Sequence, residues 1–251
     1  MFTLCHRLSH RLTLRSMSLQ LAARLFVGSL AFLPSSAAVA AQNSEELLVN
    51  DPRPLAEAIQ QFEQRCHCVV TYEDIKWQQD QVEDISASVR RAPNAPRAQV
   101  PKGGSFLFIL SRQLASATPA QIGSSLRELL AAYETSNHFG NFRLVEGNRA
   151  FHVLPSPRAV LDSRVTVAQG DQSLAQAIKA ILESVTKSTG EAVVLATGPL
   201  NLLKIIVPIQ AQNERAGDVL IRVLFATGRE LSWQLLYDFG MKRYYLNIHP
   251  V

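Results

Sequence analysis

The spacing of hydrophobic positions changes along the chain, and each change marks a predicted element. Leu55, Ile59 and Phe62 fall at i, i+4 and i+7, which places them on one face of a helix. The prolines just before this stretch suit the first turn of a helix, where a backbone N–H has no intrahelical partner. Residues 69–72, which are rich in β-branched and aromatic side chains, then predict a short strand.

The same order of elements occurs twice. Residues 55–59 and 174–178 share the pattern L-A-x-A-I, and each copy continues with two strands, a second helix and a closing hairpin. In the first copy these are strands 69–72 and 106–110, a helix that opens at Thr118-Pro119, and a hairpin over 142–154. In the second they are strands 192–195 and 205–209, a helix that begins near Asn213, and a hairpin over 231–248. We therefore predict an α+β fold of two tandem small modules, each roughly α-β-β-α-β-β with two helices packed on short sheets.

The predicted module boundaries follow from this repeat. We assign residues 41–157 to the first module and 158–251 to the second. Pro155-Ser156-Pro157 is the predicted connection, since prolines stiffen a linker without joining the cores on either side. A short strand at 165–167 leads into the second module.

The first forty residues have the pattern of a signal peptide. Residues 1–40 contain four arginines and no acidic residue, an apolar stretch at 25–33, and Ala38-Val39-Ala40. We predict a Sec-type signal peptide cleaved before Ala41, and a periplasmic or secreted protein; translation from Met1 or from Met17 is compatible with this pattern. No apolar stretch reaches the ~20 residues that a membrane-spanning helix needs, so we predict no transmembrane segment after cleavage.

Removal of the leader changes the electrostatic picture. The whole chain has a formal net charge of +4, but the leader accounts for four basic residues, which leaves 21 basic and 21 acidic residues. We therefore predict no nucleic-acid partner. The remaining basic concentration is a Pro-rich segment at 90–104, with Arg90, Arg91, Arg97 and Lys102, which predicts an exposed mobile loop. It is either a solvated insertion or a docking strip for an acidic partner or an anionic surface.

A family resemblance accompanies the repeat. The run PLAEAIQQFEQ at 54–64, followed by VVTYED at 69–74, resembles the secretin and TonB short N-terminal (STN) domain family. Residues 216–233, with A-G-D-V-L and then T-G-R-E-L-S-W, are similar to a later part of the same pattern. The resemblance is to a tandem pair of such domains, without a secretin ring or TonB-dependent barrel. It implies a docking or signal-relay module of the periplasm.

Cys66-His67-Cys68 is the most reactive-looking cluster of the mature chain. Three interpretations stay open: two small apolar side chains at the start of a strand, a disulfide, or a metal or redox site. A single tripeptide supplies fewer ligands than zinc or copper usually takes, so we predict no metal.

No catalytic motif stands out in the remaining sequence. Ser184-Val185-Thr186-Lys187 matches S-x-x-K, but its context predicts a helix end, and no nucleophile elbow, phosphate loop or dinucleotide motif occurs. Acidic pairs such as Glu73-Asp74 are predicted to be solvated. His152 and His249 fall in equivalent closing strands, which indicates repeat geometry. We therefore predict that the protein is not an enzyme and has no cofactor.

The function predicted from the sequence is protein interaction. Trp233, Tyr237 and Tyr244 belong to an aromatic cluster that is either hairpin core or part of an interface, since such residues favour both. We predict an exported, non-catalytic protein-interaction or signal-relay module of the cell envelope with an envelope protein as partner. The alternative is a small envelope hydrolase or ligand carrier with a pocket between the two modules.

Overall fold

Each half of the chain contains a two-stranded ribbon, two helices and a three-stranded sheet. The structure is a computed structural model that describes residues 44–89, 97–136 and 138–251; the predicted signal peptide, Arg90 and Arg91 lie outside these ranges. The first half contains β1 (Ser44–Asp51), α1 (Pro54–Cys66), β2 (Val70–Glu73), β3 (Val82–Asp84), β4 (Gln99–Pro101), β5 (Gly104–Ser111), α2 (Pro119–Thr135), β6 (Phe142–Glu146) and β7 (Phe151–Pro155). The second contains β8 (Arg164–Ser173), α3 (Leu174–Thr189), β9 (Val193–Thr197), β10 (Ile206–Arg215), α4 (Ala216–Phe225), β11 (Leu231–Asp238) and β12 (Arg243–Pro250). The predicted α+β class is confirmed.

Local sequence accounts for the ends of the longer helices. Thr118 and Gln121 form a reciprocal capping box at the start of α2, and Ser173 and Gln176 form one at the start of α3. Helix α3 ends at Gly190, whose φ of 76° lies in the left-handed region that glycine adopts without steric cost.

The sheets repeat the same pairing in both halves. Strands β1 and β5 form one antiparallel ribbon, and β8 and β10 form its counterpart. The three-stranded sheets have the orders β6-β7-β2 and β11-β12-β9, with matching directions in each. Strand β2 pairs in parallel with β11, where Tyr72 lies opposite Gln234 and Glu73 opposite Leu235. The two halves therefore share one six-stranded sheet, β6-β7-β2-β11-β12-β9.

Two parts of the first half differ from the sequence-based prediction. Strand β1, which completes the first ribbon, was not predicted. In the segment 90–104, residues Gln99–Pro101 form a strand that pairs with β3, and Gly104 begins β5. Gly103 lies so close to the Asp51 carbonyl that an added Cβ would stand 2.1 Å from its oxygen. The prediction of an exposed mobile loop is therefore wrong for residues 99–104, because β3 and the start of the ribbon hold this chain in place.

The hydrophobic core continues across the predicted linker. Val69, Trp77 and Leu154 of the first half are buried in the same cluster as Leu161 and Trp233 of the second half. The expectation of separate cores on either side of Pro155-Ser156-Pro157 is right for one cluster, which includes Phe62 and Phe106 and lies wholly in the first half. It is wrong for the other cluster, because the β2–β11 pairing brings inner surfaces of both halves together. None of the helices in the described ranges is long and apolar enough to cross a membrane.

Candidate functional site

The junction of the two halves is tied together by a buried carboxylate, Asp74, directly after β2. Its Oδ2 accepts hydrogen bonds from Arg53 Nε (2.8 Å), Trp77 Nε1 (2.7 Å) and the backbone N–H of Tyr237 (3.2 Å). Its Oδ1 accepts one from the Tyr72 hydroxyl (3.0 Å). Burial raises the pKa of Asp74, while the Arg53 guanidinium opposes that shift. Arg53 also donates to the Tyr237 carbonyl at 2.8 Å, so its guanidinium joins the start of α1 to β11.

A second buried carboxylate, Glu73, holds the connection between the halves. It accepts hydrogen bonds from the backbone N–H groups of Val160 and Leu161, the latter at 3.0 Å. These residues belong to the short 3₁₀ helix Val160–Asp162, which follows the linker. Burial raises the pKa of Glu73 to about 8, although the two backbone donors oppose the shift.

A third carboxylate, Glu63 of α1, connects the helix to β2 of the first half and β12 of the second. Its Oε1 accepts from the Val70 N–H at 2.9 Å, and its Oε2 lies 2.6 Å from His249 Nε2. The Ser232 hydroxyl donates to the Val70 carbonyl at 3.0 Å. The His249 and Ser232 contacts join residues more than 160 positions apart, so they fix the halves relative to each other.

The predicted solvated state of Glu73-Asp74 is therefore wrong. Both side chains are buried, Glu73 at 1% exposure and Asp74 at none. Both side chains are retained in the interior because hydrogen-bond donors satisfy their oxygens, which lowers the penalty of burying a polar group. The burial of these two acids could not be predicted from the local sequence, because most of the groups that donate hydrogen bonds to them belong to distant segments of the chain.

His152 lies near this junction in a different environment from His249. Its Nδ1 lies 2.8 Å from the Thr71 hydroxyl, and burial lowers its pKa to about 4. His152 pairs with Val145 near the end of β6, whereas His249 pairs with Ser232 near the start of β11. The two histidines share equivalent strands but not equivalent positions, so the repeat does not give them a common role.

The three aromatic residues proposed as interface candidates are buried. Trp233 is inaccessible and its ring stacks near that of His152, with centroids 6.2 Å apart. Tyr237 and Tyr244 contact each other at a centroid distance of 4.8 Å, and both are nearly inaccessible. The prediction that they offer surface to a partner is corrected, because β11 is an inner strand of the shared sheet and its hairpin partner β12 is covered as well. They contribute to the interface between halves of the same chain.

Cys66 and Cys68 are joined by a disulfide. Cys66 is the last residue of α1, and His67 between the cysteines has a φ of 50° in the left-handed region. The bridge therefore fixes the sharp turn that directs the chain from α1 into β2. Within the described ranges, no group of three or more histidine, cysteine and acidic side chains is arranged to hold a metal ion.

The two described basic residues of the 90–104 segment point to different local partners. Arg97 Nε lies 3.8 Å from Asp84, and its side chain is largely exposed. Lys102 Nζ donates to the carbonyl of Asp80 at 2.7 Å, which ties it to the preceding loop. These two residues therefore do not converge on one anion-binding position.

A cleft of about 660 Å³ lies between the β6–β7 turn of the first half and α4 of the second. Arg149 stands over the ring of Phe225 on one wall, 5.2 Å from its centroid, and His152 also lines the cleft. Arg215 lies 3.7 Å from Asp218 on another wall. This cleft has the position that the alternative function requires, and its walls combine apolar, cationic and acidic groups, the last being Glu146 and Asp218.

The most distinctive exposed surface is the outer face of the first ribbon. Leu48 of β1 and Leu107 of β5 are paired across the ribbon, with exposures of 66% and 54%, and Ile109 on the same face is 64% exposed. We call these three residues the ribbon patch. Phe106 and Phe108 alternate with them and point into the core, where they stack on each other at a centroid distance of 5.4 Å.

The second ribbon provides an internal comparison. The outward positions of β10 include Ile206, which is 64% exposed, and then Pro208, Gln210 and Gln212; these alternate with buried residues such as Val207 and Ile209. The first ribbon therefore exposes three large apolar side chains on its outer face, whereas β10 of the second ribbon exposes one isoleucine beside a proline and two glutamines.

Sequence reasoning did not single out the ribbon patch, although its signal was present. The run FLFIL at 106–110 is apolar at every position, whereas a strand with one solvated face alternates apolar and polar residues. Once the structure shows one face of β5 exposed, the extra apolar residues identify that face as unusual.

Comparison with known proteins finds no match to this chain among family models, curated proteins or solved structures.

Proposed function

We propose that this chain is an exported, non-catalytic protein-interaction module of the cell envelope, and that the ribbon patch is its docking surface. The observation that carries the proposal is the exposure of Leu48, Leu107 and Ile109 side by side on one ribbon, whereas β10 of the second ribbon has one exposed isoleucine, Ile206, followed by a proline and two glutamines. A contiguous exposed apolar face favours association with another protein, because its burial removes apolar area from water.

The partner is an envelope protein with a complementary apolar surface. The leader pattern supports export, and the formal neutrality of the mature chain supports a protein rather than a nucleic acid as partner. The buried contacts of Glu63, Glu73 and Asp74 support a signal-relay role. They fix the second half relative to the first, so a protein bound to the first half would have a defined position relative to the second.

Affinity capture from an envelope extract tests this proposal. The double variant Leu107→Glu/Ile109→Glu places two charges on the ribbon patch, and Gln210→Glu/Gln212→Glu places two on the second ribbon as a matched control. We expect one envelope protein, identified by mass spectrometry, to be retained by the wild type and the control and lost by the ribbon variant. Retention by all three proteins, or no recovery by any of them, contradicts the proposal. Urea unfolding of each variant checks that the fold is intact.

The cleft between the halves supports a second candidate function, that of a ligand carrier. A carrier is favoured over a small envelope hydrolase because the hydroxyl that contacts His152, that of Thr71, is completely buried and out of reach of a substrate. Arg149 is the group that would meet a small anion, since Arg215 and Arg222 of the same cleft are paired with acidic side chains. Titration with acetate and with inorganic phosphate, followed by NMR, tests this function; shifts confined to the cleft and lost in Arg149→Ala would support it, and an unchanged spectrum would oppose it.

A further inference from the structure

His152 is almost completely buried, yet one edge of its ring reaches the cleft between the halves. The residue is 3% exposed and is one of those that line the cleft. Its Nδ1 lies 2.8 Å from the Thr71 hydroxyl on the interior side. Its Nε2 has no hydrogen-bond partner within the described ranges. A polar atom of a buried side chain is rarely left without a partner, so this nitrogen is a candidate contact for a ligand.

Gly147, in the turn between β6 and β7, keeps the space in front of this nitrogen open. A Cβ added at Gly147 would stand 2.9 Å from His152 Nε2, which is closer than a methyl group approaches a ring nitrogen. The Gly147 N–H donates to the Ala150 carbonyl at 2.8 Å, and both residues line the cleft. The turn therefore presents backbone without a side chain where the imidazole meets the cleft.

The Thr71 hydroxyl determines which ring nitrogen carries the proton. Burial lowers the pKa of His152 to about 4, so the ring is neutral at neutral pH. Thr71 is fully buried, and its hydroxyl has no acceptor other than His152 Nδ1 in the part of the chain that the structure describes. We therefore assign the hydroxyl as the donor to Nδ1, which leaves the proton on Nε2. The cleft thus contains an N–H donor that the protein itself does not use.

The fold does not require this pair of side chains. Thr71 of β2 pairs with His152 of β7, and Val194 of β9 pairs with Tyr245 of β12 at the matching position of the second half. Valine has no hydroxyl, so the second half cannot form the same hydrogen bond. The hydroxyl and imidazole are therefore a feature of the first half and of the cleft beside it.

Arg149 is the second polar group that remains available in the cleft. Its guanidinium lies 5.2 Å from the centroid of the Phe225 ring, and it has no acidic partner among the described residues. Both acidic side chains of the cleft, Glu146 and Asp218, have cationic partners of their own. One positive charge therefore remains for a ligand. This favours a monoanion, because an ion of higher charge would approach the two carboxylates without a second free cation.

The rest of the wall is apolar. Ile221 and Phe225 lie one helical turn apart on α4, and both line the cleft together with Ala150 of the first half. Ile221 and Ala150 are buried, so the core beneath them holds this wall in place. A hydrocarbon group gains free energy when it leaves water for such a surface. The cleft volume of about 660 Å³ is typical of sites for small molecules.

We propose that the cleft binds a small carboxylic acid with an apolar body. The carboxylate accepts a hydrogen bond from His152 Nε2 and faces Arg149, while the body packs against Ile221 and Phe225. This inference rests on the second candidate function, the ligand carrier, and names its class of ligand. A hydrogen bond to a charged acceptor is stronger than one between neutral groups, which explains an unused donor at this place.

Titration calorimetry of the full chain, expressed with its own leader and purified from the envelope fraction, tests the class of ligand. The probes are hexanoate, acetate, hexan-1-ol and inorganic phosphate. We expect hexanoate to bind about tenfold or more tightly than acetate, because its longer chain leaves water. Hexan-1-ol lacks the carboxylate and phosphate lacks the apolar body, so each should bind about tenfold more weakly than hexanoate.

The same titrations separate this proposal from the two candidate functions. Phosphate or acetate that binds as tightly as hexanoate would overturn the proposal and leave the carrier function in place. Absence of binding by all four probes would overturn both. The ribbon patch does not line the cleft, so capture of an envelope protein is measured independently of these results.

Two variants of His152 distinguish a ligand contact from a structural role. The longer side chain of glutamine can place an N–H near the position of Nε2, whereas asparagine can place its oxygen near that of Nδ1 and so retain the contact with Thr71. His152→Gln is expected to keep hexanoate binding within about threefold, and His152→Asn to weaken it about tenfold or more. The opposite ranking, or equal binding by both variants, would overturn the proposal.

Gly147→Ala blocks the cleft side of the ring without changing any charge. Its methyl group would stand against His152 Nε2, whereas Gly170→Ala is the matched control, because a Cβ there meets no atom within 4 Å. We expect hexanoate binding to be lost in Gly147→Ala only. Arg149→Ala should weaken it about tenfold, and Arg229→Ala, at an exposed arginine outside the cleft, should not. Urea unfolding checks that each variant is folded. Wild-type affinity in Gly147→Ala or Arg149→Ala would overturn the proposal.

Discussion

Replacement of Glu73 by glutamine is expected to flatten the dependence of folding stability on pH. Glu73 is 1% exposed, and burial raises its pKa to about 8 from an ordinary value of 4.5. The folded protein therefore retains a proton that the unfolded chain releases. The stability that this proton provides is fully present below pH 4.5 and is lost as the pH rises through 8.

The size of the effect follows from the shift in pKa. Each unit of difference corresponds to about 1.4 kcal/mol, so the full loss across the window is about 5 kcal/mol. Between pH 7 and 9 the unfolded carboxyl is already ionised and the folded one titrates, which predicts a loss of about 1.4 kcal/mol. His152 does not disturb this interval, because its lowered pKa of about 4 places its titration at lower pH.

Urea unfolding at pH 7, 8 and 9, followed by tryptophan fluorescence, measures this slope. Trp77 and Trp233 are both buried and report loss of the shared core. Glutamine presents an N–H group to one of the two backbone donors, which costs about 1–3 kcal/mol at every pH, so the slope is the relevant quantity. Glu83→Gln, the same change at an exposed position, is the control and should keep the wild-type slope. An unchanged slope in Glu73→Gln would refute the reasoning, since the backbone donors would then outweigh burial.

Three further predictions concern the junction and its surroundings. Asp74→Ala is expected to lower the free energy of unfolding by about 3–5 kcal/mol, because it leaves Arg53 without its buried partner; a loss below 1 kcal/mol in urea unfolding would contradict this. Because burial lowers the pKa of His152, the contribution of its neutral form to the free energy of unfolding is fully present above pH 6.5, and about 3 kcal/mol of it is lost as the pH falls through 4. His152→Asn should remove this loss of stability at acid pH in urea unfolding. An equal loss in the variant would show that His152 is not its source. Intact-mass analysis after alkylation should add two groups to Cys66 and Cys68 only after reduction; two groups without reductant would exclude the disulfide.

Much of the local structure could be predicted from the sequence. The i, i+4, i+7 spacing in α1 and the Ser and Thr caps of α2 and α3 act between residues a few positions apart, so they can be identified in the chain itself. Strand β1 was missed because its pattern is short and it is stable only when paired with β5. The candidate site was harder to predict, since the apolar run in β5 indicates a strand but not which of its faces is covered.

The sequence by itself determined the helices, most of the strands and their repeated order, because helix periodicity and capping are local properties of the chain. Tertiary structure alone decided that β2 pairs with β11, that Glu73 and Asp74 are buried, and that Leu107 is exposed. Each of these outcomes depends on groups brought together from more than fifty residues away, as when β1 pairs with β5 or Tyr237 contacts Asp74. Local hydrophobic patterning specifies a face to be buried, but it does not specify which distant surface buries it.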